Sequence, residues 1–215
     1  MSTTNNEKGI VPAHHFDSVA QEEDAGIQGI WLFLATEVLM FGGLFVAYAI
    51  FRGMYPEMFH HASKYLDTKL GALNTLVLIA SSYSMASAVR STQKGDTQKS
   101  FNLILITIAC ALIFMTVKYF EYTHKFHEGL FPGANFSHPG ADKHLGLFFG
   151  LYFVMTGLHA IHITVGVGLM VWLLIRIKRG DFSPHYFIPV DAVGLYWHIV
   201  DIIWIFLFPL LYLIG

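Results

Sequence analysis

Five apolar stretches, each long enough to cross a bilayer, constrain the fold of this 215-residue chain more than any other feature. A transmembrane helix needs about 20 mainly apolar residues. The stretches cover residues 27–51, 72–89, 101–122, 146–175 and 192–214. Charged residues make up only 13% of the chain, against about 25% in soluble domains. The sequence therefore predicts an all-α integral membrane bundle of five transmembrane helices.

The rest of the chain predicts a single domain with a short tail. We interpret residues 1–26 as a polar N-terminal tail and residues 27–215 as the five-helix domain. The tail lacks the apolar core and cleavage site of a signal peptide, so we expect the first span to act as its own membrane signal. Cys110 is the only cysteine, which excludes an internal disulfide. The longest connection, residues 123–143, contains two Pro-Gly pairs that predict turns.

Basic residues predict the orientation, because cytoplasmic loops are enriched in Lys and Arg. The short loops after the second and fourth spans carry compact basic clusters: Arg90, Lys94 and Lys99, then Arg176, Lys178 and Arg179. The opposite loops spread their basic residues over longer stretches: Arg52, Lys64, Lys69, Lys125 and Lys143. We therefore predict the N-terminus inside and the C-terminus outside.

Small residues predict where helices approach one another closely. The second span contains a run of serine and alanine over residues 80–88. The fourth span opens with Gly146 and Gly150 at GxxxG spacing. Pro209 predicts a bend in the last span, with the freed carbonyl group satisfied by a neighbouring helix.

Five ionisable residues fall deep inside the predicted spans. They are Glu37, His159, His162, His198 and Asp201. At 1.5 Å rise per residue, all five lie within roughly 8 Å of the membrane midplane. A charge at the centre of a span costs about 2.5–3.5 kcal/mol on insertion scales, so these groups are expected to face protein. The spacing of three puts His198 and Asp201 on one helical face.

Three roles compete for this polar layer. The histidines and Asp201 could form an intramembrane polar tie between helices, ligate a metal or haem, or relay protons. The first three spans contain no histidine and the fifth only His198, which disfavours a bis-histidine haem. A di-metal carboxylate site would use paired Glu-x-x-His motifs from facing helices, and neither His159-Ala160-Ile161-His162 nor His198-Ile199-Val200-Asp201 matches that pattern. We favour the interpretation that these residues form a structural tie between helices.

Glu37 and Glu121 are predicted to lie in different environments. Glu37 has no basic neighbour in sequence, and a protonated carboxyl in such apolar surroundings would react with hydrophobic carbodiimides. Its alternative role is a neutral hydrogen bond to a neighbouring helix. Glu121 follows Lys118 by three residues near the end of the third span, which predicts an interfacial pair of small energetic weight.

Several motifs, in their order along residues 27–215, resemble subunit III of the haem–copper respiratory oxidases. The motifs are Ala35-Thr36-Glu37-Val38, Leu73-Asn74-Thr75, Glu121-Tyr122, Thr156-Gly157-Leu158-His159-Ala160-Ile161-His162 and Tyr196-Trp197-His198-Ile199-Val200-Asp201-Ile202-Ile203-Trp204. The five-span form is similar to the short bacterial members. Longer members have two further helices before the first of these spans, and those helices help to form a lipid-filled cleft.

The resemblance implies a non-catalytic accessory subunit of a terminal oxidase that reduces O₂ to water and translocates protons in aerobic respiration. Such a subunit packs against subunit I, stabilises it and supports proton uptake. Subunit II and a small subunit IV are further candidate partners. Haem and copper are expected in the partner subunits, none in this chain, and a phospholipid is a candidate ligand. The implied location is the bacterial cell (inner) membrane, with Glu37 as the family's buried carboxyl.

The sequence leaves alternatives open for the partner complex and for the functional class of the protein. Cytochrome c oxidase is the favoured complex, while a quinol oxidase or a nitric oxide reductase would suit the same fold. A proton-coupled transporter is the alternative from another class. It is disfavoured because transporters usually contain internal repeats and broken helices, and this chain has no repeat.

Overall fold

The computed structural model describes residues 19–132, 145–184 and 186–213, and almost all regular structure in them is helical. The helices are α1 (Val19–Met54), α2 (Pro56–Ser63), α3 (Thr68–Gln93), α4 (Thr97–His127), α5 (Leu145–Arg179) and α6 (Ile188–Phe208). A π-helical end, Pro209–Leu213, continues α6. Within the described residues, five of these helices are long and apolar enough to cross a membrane. The predicted five-span, all-α membrane fold is confirmed.

Each predicted span lies inside one long helix, although the helices extend further than the apolar stretches. The fourth span is part of the 35-residue α5, which is about 52 Å long at 1.5 Å per residue and so exceeds the bilayer core. α1 begins at Val19, inside the predicted tail. Residues 1–18 and 133–144, most of the predicted tail and part of the long connection, lie outside the described residues, as does Ile214.

A short helix, α2, was not predicted from the sequence. Pro56 occupies its first turn, where the missing N–H has no helical partner to lose. Met58, Phe59 and Ala62 are buried, and the helix packs against α5. Eight residues with three buried apolar side chains are too short for a recognisable span pattern.

Polar caps determine where α3 and α4 begin. Asp67 accepts hydrogen bonds from the backbone N–H groups of Lys69 and Leu70, at 2.9 and 3.2 Å. Asp96 accepts one from the N–H of Lys99 at 3.0 Å. Gly95 turns the chain between the two helices with φ +80°, a conformation that favours glycine. These caps satisfy two of the first N–H groups of α3 and one of α4.

The helices pack around α6, while α1 lies at the periphery. α6 contacts α1, α3 and α5, and α4 packs against α3 and α5. α1 packs against α2, α5 and α6. Its outward face is apolar and exposed, with 71% of Leu32 and 75% of Leu39 accessible. The core contains large aromatic side chains, among them Trp197 and Trp204 of α6.

The expected close contact at the Gly146–Gly150 motif is wrong. A Cβ atom added at either glycine would have no atom within 4 Å among the described residues outside its own helix. The close approach on α5 occurs instead at Gly166, where an added Cβ would lie 2.8 Å from the Trp197 ring. The wide Trp197 indole of α6 needs a neighbour without a side chain. The position of the close contact is therefore determined by α6, and the GxxxG spacing on α5 does not reveal it.

The small residues of the second span do mark helix contacts, as predicted. Ser81, Ser84 and Ala88 are buried. The hydroxyl groups of Ser84 and Thr107 lie 2.7 Å apart and join α3 to α4.

The predicted irregularity at Pro209 is present as a change of helix type. The last α-helical residue is Phe208, and Pro209 begins the π-helical end. The Tyr48 hydroxyl of α1 donates a hydrogen bond to the Leu210 carbonyl at 2.6 Å. The last carbonyl groups of a helix have no partner within it, and here α1 satisfies one of them.

Candidate functional site

Glu37 and His162 form a contact between α1 and α5. Glu37 Oε2 lies 2.8 Å from His162 Nε2, and both side chains are nearly buried. His162 Nδ1 lies 2.7 Å from the Leu158 carbonyl, which can only accept, so Nδ1 carries a hydrogen. With Nδ1 so occupied, Nε2 is the ring nitrogen that faces the Glu37 carboxyl.

Aromatic side chains surround this pair and bring α6 into the same junction. The Phe41 ring of α1 stands edge-on to the His162 imidazole, with ring centres 5.4 Å apart. The Tyr196 hydroxyl of α6 donates to the His162 backbone carbonyl at 2.9 Å. Phe33 of α1 contacts the Tyr196 ring, with ring centres 6.0 Å apart. The junction thus links the peripheral α1 to both of its long neighbours.

His198 is bonded to α3 rather than to Asp201. Its Nδ1 atom lies 2.8 Å from the Ser82 hydroxyl. The adjacent Trp197 donates from Nε1 to the Ser81 hydroxyl at 3.1 Å. Consecutive residues of α6 therefore engage consecutive serines of α3.

Asp201 is buried, with 2% of the residue exposed. Neither carboxyl oxygen makes a hydrogen bond within the described residues, although Ser81 and Ser82 lie close to it. The shared helical face brings Asp201 and His198 to α3, but the imidazole turns to a serine. The described residues show no hydrogen bond between Asp201 and His198.

His159 is fully buried among aromatic rings. Its imidazole stacks on Trp204 with ring centres 5.4 Å apart, and Phe114 stands edge-on at 5.6 Å. Neither ring nitrogen has a hydrogen-bond partner in the described part of the chain. The polar layer is therefore divided: Glu37 contacts His162, His198 contacts Ser82, and His159 and Asp201 make no hydrogen bond to any residue that the structure describes.

A second polar cluster lies near the end of α4. Lys118 Nζ is 3.0 Å from Glu121 Oε2, and both side chains are almost completely buried. Tyr152 of α5 and Tyr212 of the π-helical end donate to Glu121 Oε1 at 2.8 and 2.6 Å. Lys118 Nζ also lies 4.6 Å from the centre of the Trp204 ring. The cluster joins α4, α5 and the end of α6.

Comparison with known proteins identifies the family. The family model for cytochrome c oxidase subunit III matches residues 7–215. Cytochrome c oxidase subunit 3 of Synechocystis is 34% identical over 89% of this chain and 76% of its own length. Quinol oxidase subunit 3 of Bacillus spizizenii is 27% identical, covering 88% and 87%. The haem-copper oxidase subunit I+III of Aeropyrum pernix is 32% identical over 86% of this chain and 22% of its own length.

The chain belongs to the cytochrome c oxidase subunit III family. It is an accessory subunit III of a haem–copper oxidase and a multi-pass membrane protein. The resemblance predicted from the ordered motifs is thus confirmed.

The Lys118–Glu121 pair of this subunit III forms as predicted, but it is not a weak surface pair. Both groups are buried and share hydrogen bonds with Tyr152 and Tyr212, which sequence analysis missed. The spacing of three residues identifies the pair within α4. Nothing local identifies Tyr152, 31 residues later, or Tyr212, which reaches the cluster only because α6 ends beside α4.

No group of three or more His, Cys, Asp and Glu side chains in the described residues is arranged to hold a metal ion. That this subunit III carries no haem or copper remains a prediction. The roles of Glu37 and the other polar-layer residues also remain predictions.

Proposed function

We propose that this subunit III serves a cytochrome c oxidase of a bacterial cell membrane and packs directly against subunit I, without a catalytic residue or redox centre of its own. The identity of 34% to a cytochrome c oxidase subunit, against 27% to a quinol oxidase subunit, is the observation that carries the choice of complex. The Aeropyrum relative is named as a single subunit I+III, which supports direct packing of the two parts. Subunit II and a small subunit IV complete the proposed partners.

The polar layer serves assembly in this proposal. α1 is the least buried of the five long helices. Only 11% of the residues in its most apolar stretch are buried. Apolar packing alone gives little specificity in lipid, where side chains gain no hydrophobic driving force from helix association. The Glu37–His162 contact and the bond from Tyr48 to Leu210 fix the depth and rotation of α1. A fixed α1 would present a constant surface to subunit I, and in this way sustain proton uptake there.

The test is to purify the complex on a tag at the N-terminus in mild detergent and identify its companions by mass spectrometry. A companion with a copper-binding domain, together with oxidation of reduced cytochrome c, is the result expected. A quinol oxidase is the second candidate, favoured by the Bacillus spizizenii relative. Oxidation of quinol by a complex without such a companion would establish that candidate and exclude the first.

A further inference from the structure

A groove of about 590 Å³ lies between α1 and α6. Its volume is in the range of ligand sites. Each helix contributes residues three and four positions apart: Trp31, Leu34, Ala35, Val38, Leu39, Leu195, His198, Ile199 and Ile202. Glu37 and His162 are not part of this lining, so the groove is separate from their junction. The inference below therefore goes beyond the proposed function.

His198 lies opposite the smallest side chain of the groove. Phe33 contacts Tyr196, and further along the same two helices Phe45 contacts Phe206. The helices therefore run parallel, and Ala35, two residues after Phe33, is level with His198, two residues after Tyr196. The methyl group of Ala35 leaves the imidazole accessible from the groove.

The imidazole has one nitrogen available to a ligand. Nδ1 lies 2.8 Å from the Ser82 hydroxyl, and Nε2 has no hydrogen-bond partner among the residues that the structure describes. A neutral imidazole carries one N–H donor and one acceptor. If Ser82 donates to Nδ1, Nε2 is the donor, and if Nδ1 donates to Ser82, Nε2 is the acceptor. Apart from the Trp31 indole N–H, the other lining side chains are apolar.

The depth of His198 restricts the ligand to an uncharged molecule. His198 lies ten residues after Ile188, the first residue of a 26-residue span, which is about 15 Å along the helix. The hydrocarbon core is about 30 Å thick, so the imidazole is near its middle. A phosphate or ammonium headgroup does not reach this depth, because a charge in the hydrocarbon core is costly. The polar part of the ligand must therefore be compact and neutral.

The length of the groove fits a small molecule. Its lining on α1 covers residues 31–39, about 12 Å of helix. Two spanning helices that pack together touch along most of a 30 Å core, which is a longer contact than this groove offers. The Trp31 indole, one turn before Ala35, supplies a flat apolar wall beside the imidazole. This combination suits a flat ring with a hydrogen-bonding oxygen and an apolar tail.

We propose that the groove binds the head group of an isoprenoid quinone, with His198 Nε2 bonded to a ring oxygen and the ring between Ala35 and Trp31. The quinone carbonyl accepts from Nε2 in one imidazole tautomer, and the quinol hydroxyl donates to it in the other. Both redox forms of the ligand are therefore accommodated. The isoprenoid tail follows Leu39 and Ile202, which are exposed at the membrane surface of the groove.

The test uses the whole oxidase complex in phosphatidylcholine nanodiscs with a ubiquinone probe that carries an azide on its ring. After illumination, peptide mapping should locate the label in residues 31–39 and 195–202. Ala35→Phe places a ring opposite His198 at an exposed position and leaves the contact with Ser82 in place. We expect the labelling to fall by about tenfold, because a site that is already filled binds more weakly by about that factor.

Leu32→Phe is the matched control, because Leu32 is exposed on α1 but does not line the groove. A fall in Ala35→Phe without a fall in Leu32→Phe supports the site. An equal fall in both variants, or none in Ala35→Phe, would overturn it. Absence of the label from both groove segments would mean that a partner helix covers them in the complex, and would also overturn the proposal.

Competition identifies the chemistry of the ligand. Unlabelled ubiquinone should abolish the labelling, whereas squalene, an isoprenoid hydrocarbon without ring oxygens, should not. Equal competition by squalene would mean that the groove accepts any apolar chain, and would overturn the quinone assignment. The position of the label does not depend on whether the complex oxidises cytochrome c or quinol, so this test can fail or succeed independently of the proposed function.

Discussion

Glu37 is held by a partner 125 positions away in sequence, and the chemistry of that contact sets the outcome of its replacement. His162 Nε2 needs one hydrogen from its neighbour when the imidazole is neutral. The amide of Glu37→Gln can donate that hydrogen, so the complex should assemble and keep most of its activity. Labelling by a hydrophobic carbodiimide should disappear, because the reagent requires a carboxyl group. Mass spectrometry of the labelled subunit measures this directly.

Glu37→Leu is the contrasting variant. It leaves His162 Nε2 buried without a partner, which costs about 1–3 kcal/mol. Subunit III should then dissociate from the complex at a lower temperature than in Glu37→Gln. If both variants dissociate at the same temperature as the unaltered complex, the contact does not anchor α1.

The Lys118–Glu121 cluster predicts strong coupling between two residues. Lys118→Met leaves a buried carboxylate and should destabilise the subunit by about 3–5 kcal/mol. Glu121→Gln leaves the ammonium unpaired, although Gln still accepts from Tyr152 and Tyr212. The double variant removes both charges and should be more stable than Lys118→Met alone. Thermal unfolding of the four proteins forms the cycle, and additive effects would mean that the pair contributes nothing of its own.

Helix packing predicts opposite results at two glycines of α5. Gly166→Ala places a methyl group 2.8 Å from the Trp197 ring, and overpacking of this kind costs about 1–3 kcal/mol. Gly150→Ala meets no atom of the described residues within 4 Å outside its own helix and should be tolerated. The yield of assembled complex and its thermal stability distinguish them. A larger loss at Gly150 would indicate that a partner subunit packs on that face.

The elements themselves could be predicted from the sequence, but their contact faces could not. An apolar stretch of about 20 residues is a local property, and all five spans were found from it. The GxxxG spacing of Gly146 and Gly150 is also local, yet a close contact depends on the residue that another helix brings. Trp197 selects Gly166 for that role. α2 was not predicted because it has no periodic apolar pattern of its own. The burial of Met58 and Phe59 depends on α5.

The same distinction holds for the candidate site. The position of Glu37, His162 and Asp201 inside apolar spans predicts that they face protein, because a charge in an apolar span is costly wherever its partner lies. The partners could not be predicted. They come from helices far apart in sequence, as with Ser82 for His198, 116 positions away.

For the molecule as a whole, the basic clusters predict which ends of the helices face the cytoplasm. Lys69 and Lys94 lie at opposite ends of α3 and are both exposed. In a Cys110→Ala background, Lys69→Cys should react with a membrane-impermeant maleimide on intact cells. Lys94→Cys should react only after the cells are opened. The reverse pattern would place the N-terminus outside.

The central claim is that this chain is an accessory subunit bound to a haem-bearing partner and carries no redox centre itself. The most direct measurement is the visible spectrum of the tagged complex before and after subunit III is stripped from it in intact form. The account predicts haem absorbance that remains with the partner subunits and a separated subunit III without absorbance in the visible range. Haem that stays with the isolated chain would contradict it.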